Sequence, residues 1–153
     1  MKSADFTKFL MRLLFLFAAT ALSFIAYFLY LYFFPVQVSA ASLTDFSIES
    51  AIISAVIGYS FPAAFFLIAL PRNGYLAELD RKNFTLPYAI VIASPAMLGI
   101  LSLLFFLCYR KIANPENWQF HLGYAFFVSS IVNFFWSFFV ILKIVSIHRS
   151  KSI

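Results

Sequence analysis

The stretch from Phe120 to Leu142, FHLGYAFFVSSIVNFFWSFFVIL, sets the strongest limit on what this chain can become. Its 23 residues include no Asp, Glu, Lys or Arg. As a helix rising about 1.5 Å per residue it is roughly 35 Å long, enough to cross a hydrocarbon layer of about 30 Å. It also holds the densest line of polar side chains in any apolar run here: Ser129, Ser130, Asn133 and Ser137. Ser129, Asn133 and Ser137 recur every four residues, so a helix places them on one face. Such a face is expected to meet another helix or a watery space rather than lipid tails. Asn133 brings two donors and an acceptor, and all want partners. Packing within one subunit, an interface between copies in a homo-oligomer, and a pore lining would each supply them.

Three further apolar runs precede this one, giving spans at about 9–34, 48–70, 87–108 and 120–142. Only 11% of the 153 residues are charged, against about 25% in an ordinary soluble domain, while 63% are hydrophobic. A soluble fold of this size could not hide so much apolar surface. The runs are continuous rather than alternating, which argues against a β-barrel. The expected class is therefore an all-α integral membrane protein: a small bundle of four transmembrane helices in one domain. The 22 phenylalanines read as bulk that packs in lipid and between helices.

The first run follows Lys2, Lys8 and Arg12, and ends in AYFLYLYFF, an aromatic belt at a membrane interface. Its basic start and Val38-Ser39-Ala40 imitate a cleavable signal, but the run is far longer than the 7–15 residues usual for one. Pro35 ends it, and Thr44 or Ser47 would cap the second. The second run places Ser54, Gly58 and Pro62 at four-residue spacing, broadened by Ala51 and Ala55. This small-residue face would let helices approach closely, and Pro62 would bend or hinge the helix. The 71–86 connection, PRNGYLAELDRKNFTL, has Leu76, Leu79 and a Glu78–Lys82 pair suited to a short interfacial helix. The third span starts near Pro87 and should kink at Pro95, its freed carbonyl satisfied by neighbours.

Charge sets the threading. Nine basic residues lie in the N-terminal segment, the 71–86 loop and the tail: Lys2, Lys8, Arg12, Arg72, Arg81, Lys82, Lys143, Arg149 and Lys151. The other two connections hold two, Arg110 and Lys111. The positive-inside rule then puts both termini and the 71–86 loop in the cytoplasm, as in a multi-pass protein of a bacterial inner membrane. It also accounts for the net charge of +5 without direct nucleic-acid binding.

Catalytic and metal-binding signatures are missing. No carboxylate lies deep in a span, which disfavours proton-coupled transport. His121 and His148 fall at opposite faces and cannot share a metal within one monomer. His121 reads as an interface residue, or as an external pH or metal sensor. Cys108 is the one cysteine, a small apolar filler or an acylation site at the membrane edge. No GxSxG, HExxH or phosphate-binding glycine loop occurs, and the loops are too short for a soluble catalytic domain. The expectation is a non-enzyme with no cofactor and no metal.

Two functions fit. One is a homo-oligomeric membrane sensor or anchor that contacts a cytosolic partner through Arg72, Arg81, Lys82 and Arg149. The other is a small oligomeric, holin-like pore lined by Ser129, Asn133 and Ser137. The interface residues for the first are Ser129, Ser130, Asn133, Ser137, Ser54 and Gly58. With the basic segments MKSADFTKFLMR and PRNGYLAELDRKN on one side, the four-span layout resembles the membrane subunit of the Kiwa antiphage defence system. That resemblance implies an oligomer working with a cytosolic DNA-binding partner. It rests on architecture, and no functional residue transfers with it.

Overall fold

The computed structural model describes residues 17–34, 46–71, 74–82, 84–111 and 117–151, with backbone alone for 74–75, 110–111, 117 and 147–151. The expectations for Arg12, Pro35, Thr44, Arg72 and the 35–45 and 112–116 connections lie outside the described residues, as do those for the side chains of His148, Arg149 and Lys151. All regular structure among the described residues is helical: α1 (Ala18–Phe33), α2 (Ser47–Ala69), α3 (Gly74–Arg81), α4 (Thr85–Lys111) and α5 (Asn117–Lys151). Within α2, α4 and α5, the segments Ser47–Ala69, Thr85–Tyr109 and Trp118–Ser146 are long and apolar enough to cross a membrane. Described α1 is apolar but shorter, at 16 residues.

The helices run up and down. Pairs Thr20–Asn133 and Ser23–Ser129 set α1 antiparallel to α5. Ser102 with Gly123, and Ser130 with Pro95, set α4 antiparallel to α5. Helix α5 packs most extensively on α4 and then on α1, while α2 packs chiefly on α4. Helices α1 and α2 both reach α5 but have at most a weak contact with each other.

Element boundaries differ from the sequence reading in instructive ways. Phe46, not Thr44 or Ser47, takes the N-cap position of α2, with no side-chain cap. Its ring stacks on Phe106 at 4.5 Å between centroids, so packing fixes where the helix enters. Helix α4 begins at Thr85, two residues before Pro87, which still falls in the first turn where a missing N–H is tolerated. Pro95 cannot bond the carbonyl of Val91 four residues back; Ser94 Oγ donates to it instead, at 2.8 Å. The expected short helix in the 71–86 loop is α3. It turns Leu76 and Leu79 inward against Ala64, Leu67, Ala89, Ile92 and Ile144. Lys82 Nζ donates to Glu78 Oε1 at 2.7 Å on its outside. Where such a helix end lies in water, burial of each leucine stabilises by about 1.5–3 kcal/mol.

Packing and polarity are turned inside out. Ser23, Ser60, Ser94, Ser102, Ser129, Ser130, Asn133 and Ser137 are buried, while Leu22, Ile25, Phe65, Phe66, Leu104 and Phe139 are exposed. Two glycines let the helices close. A Cβ on Gly99 would come within 2.9 Å of Ile53, and one on Gly123 within 2.7 Å of the Phe106 ring. Gly58 differs, since a Cβ there would meet nothing within 4 Å. Gly123→Val should therefore lower the midpoint of thermal unfolding in detergent, at a cost of about 1–3 kcal/mol from overpacking. Gly58→Ala should leave it unchanged or raise it, since Ala has the better helix propensity by about 1 kcal/mol.

Candidate functional site

Of the polar residues singled out on the last span, Ser129 and Asn133 meet α1. Two hydrogen bonds cross the joint: Thr20 Oγ1 donates to Asn133 Oδ1 at 2.9 Å, and Ser23 Oγ donates to Ser129 Oγ at 2.8 Å. Asn133 Nδ2 donates to the Ser129 carbonyl one turn back at 2.7 Å, which fixes the amide's orientation. Asn133 is 1% exposed, and Ser129 and Ser137 are fully buried. The Ser137 hydroxyl donates within its own helix, to the Phe134 carbonyl at 2.8 Å. Phe24 of α1 meets Phe126 edge-on at 5.1 Å, extending the same joint with apolar area.

Ser130 is one residue out of phase with this line and serves the opposite neighbour. Its hydroxyl donates to the Pro95 carbonyl of α4 at 2.7 Å, and Ser102 of α4 donates to the Gly123 carbonyl at 2.8 Å. A small hydroxyl reaching a backbone carbonyl brings two helices close without burying an unpaired donor.

Ser54 and Gly58 are exposed on the outside of α2 and join no other helix among the described residues. The Ser54 hydroxyl instead donates to the Ser50 carbonyl of its own helix, at 2.7 Å. Arg81 is exposed at the end of α3, and Lys82 beside it is held by Glu78. The described basic residues of this segment thus share their surface with carboxylates.

A second polar group, unforeseen from the sequence, lies at the other end of the bundle. Tyr124 of α5 donates its hydroxyl to Glu49 Oε1 of α2 at 2.6 Å. The Tyr27 hydroxyl of α1 lies 3.4 Å from His121 Nδ1. His121 and Tyr124 are three residues apart on α5, so the two pairs are neighbours, one toward α1 and one toward α2. Aromatic rings back them: Phe120 lies 4.8 Å from Tyr124, and Phe106 lies 5.2 Å from it. Among the described residues, no three His, Cys, Asp or Glu side chains come together to hold a metal ion.

Comparison with known proteins returns no matching family model, curated protein or solved structure. The geometry alone must carry a functional reading. It also separates two kinds of buried serine. Ser60, fully buried on α2, has a hydroxyl with no hydrogen-bond partner among the described residues, unlike Ser23 and Ser129. Ser60→Ala should therefore be neutral or stabilising, whereas Ser129→Ala should destabilise. A double-mutant cycle with Thr20→Val and Asn133→Leu should return a coupling of about 0.6 kcal/mol, at most about 2, in detergent unfolding. Zero coupling would mean that this pair does not join α1 to α5.

Proposed function

We propose that the chain is a four-span protein of a bacterial inner membrane, with both termini cytoplasmic, acting as a non-enzymatic sensor or anchor. The reading adds the 9–16 stretch to α1 as a full span. It takes the apolar outer surface as lipid-facing, and the α3 end, with Arg81, Lys82 and Lys143, as the cytoplasmic side. The observation that carries it is the burial of Ser129 and Asn133 against Thr20 and Ser23. This favours polar side chains as a joint between helices over polar side chains as a conducting surface. In this reading the working parts are the two ends of the bundle, and a cytosolic partner docks at Arg72, Arg81, Lys82 and Arg149.

Assembly of several copies would multiply that small docking surface, so weak contacts would sum to useful avidity. The outward small residues Ser54 and Gly58 remain the proposed contact between copies. The likeness to the Kiwa membrane subunit points to antiphage defence as the setting. The alternative is the oligomeric pore, which would need Ser129, Asn133 and Ser137 released from α1.

Two measurements separate the readings. Purified from native membranes, the sensor should retain a cytosolic partner, and Arg81→Gln with Lys82→Gln should reduce its recovery several-fold. Liposomes containing the chain should leak ions no faster than empty ones. If no partner is retained and the double substitution changes nothing, the sensor reading fails. Ion flux that drops in Asn133→Leu would install the pore in its place.

A further inference from the structure

Two prolines interrupt the bundle at one level. In α2, Pro62 has no N–H to offer the Gly58 carbonyl, and in α4, Pro95 has none for the Val91 carbonyl. Register sets the two gaps side by side. Helices α2 and α4 are antiparallel: Ile53 meets Gly99, while Ala64 and Leu67 share a cluster with Ala89 and Ile92. The stretch from Ile53 to Ala64 nearly equals in length the stretch from Gly99 back to Ala89. The gap centred on Ser60 therefore lies level with the gap centred on Ala93. Helix α5 contains no proline and runs unbroken past this level.

Packing divides at the same level. On one side, Ala64 and Leu67 of α2, Leu76 and Leu79 of α3, and Ala89 and Ile92 of α4 form one apolar cluster. The buried residue that α5 adds to it is Ile144. On the other side lie the close contacts of Ile53 with Gly99 and of Phe106 with Gly123. The Ser102–Gly123 and Tyr124–Glu49 hydrogen bonds lie there too, and Ser130 holds the Pro95 carbonyl at the boundary. Both breaks leave room to bend. Gly58 and Pro62 are exposed, and in α4 the Val91 carbonyl is held by the Ser94 side chain instead of by backbone.

We propose that α3, with residues 63–69 of α2 and 85–94 of α4, turns as one rigid unit about this paired break, moving over α5 at Ile144. Bending one helix alone would tear the shared cluster, so the two kinks change together. A change of about 20° at the kinks, over a lever of roughly 15 Å, carries α3 about 5 Å sideways. The unit carries Arg81 and Lys82. Its turning would advance or withdraw the surface assigned above to a cytosolic partner. The hinge itself stands without that assignment and without a bilayer.

The test is spin-label distance measurement by double electron–electron resonance on the full chain in maltoside micelles, in a Cys108→Ala background. Labels go on exposed residues. Arg81→Cys with Val145→Cys reads α3 against α5. Arg81→Cys with Phe66→Cys reads distances inside the unit, and Ile52→Cys with Leu104→Cys reads the opposite end of the bundle. The first pair should show two separations about 5 Å apart, or one spread over that range. The other pairs should each show one narrow separation. Pro62→Ala restores the missing N–H at an exposed site and should collapse the first pair to one narrow separation. Pro95→Ala should do the same, and both together should add nothing further, because either straightened helix holds the other. Pro95 is buried, so Pro62→Ala decides if Pro95→Ala fails to fold. One narrow separation for the first pair with both prolines present would overturn the hinge. A first pair that stays broad in Pro62→Ala, or a broad pair inside the unit, would trace the motion to α3 alone and overturn it as well.

Discussion

A polar group inside an apolar bundle has nowhere to go but to another polar group. Where water and lipid supply no partner, each buried hydroxyl or amide must find one in protein. Here that requirement positions the helices. Ser102 and Ser130 tie α4 to α5 through backbone carbonyls, and Ser94 closes the gap that Pro95 opens in α4. Thr20 and Ser23 tie α1 to Asn133 and Ser129. Hydrophobic burial does not order helices whose outsides are as apolar as their insides. Close packing at Gly99 and Gly123 and the hydrogen bonds between serines do.

The four bundle helices are not held alike. Helix α4 sits between α2 and α5 and is fixed on both sides by close glycine contacts. Helix α1 depends on α5, through two hydrogen bonds, the Tyr27–His121 contact and the Phe24–Phe126 edge. Hydrogen bonds between such helices contribute about 0.6 kcal/mol each, and among the described residues α1 packs less extensively than α2 or α4.

Much of the interior was legible in the sequence because polar spacing inside an apolar run is rare and informative. The four-residue repeat of Ser129, Asn133 and Ser137 marked a face, and the structure brings Ser129 and Asn133 to a neighbouring helix. Thr20 and Ser23 were the matching signal in the first run. They passed unnoticed because only the antiparallel register of α1 and α5 makes them partners. The short helix α3 was legible from Leu76, Leu79 and the Glu78–Lys82 spacing, since it lies where polar and apolar sides differ. The orientation of Ser54 and Gly58 was not legible: along α2 both faces are apolar, so no periodicity says which side is inside. Glu49 and Tyr124 lie 75 positions apart, and their pairing exists only in three dimensions.

The central claim is that the polar face of α5 is consumed within one subunit. A cysteine pair at Ser23 and Ser129, made in a Cys108→Ala background, tests it most directly, because these hydroxyls lie 2.8 Å apart. Mild oxidation should give an internal disulfide: the protein runs as a monomer, and fragments cut between the two positions separate only on reduction. Covalent dimers as the main product would place that face between copies and contradict the account.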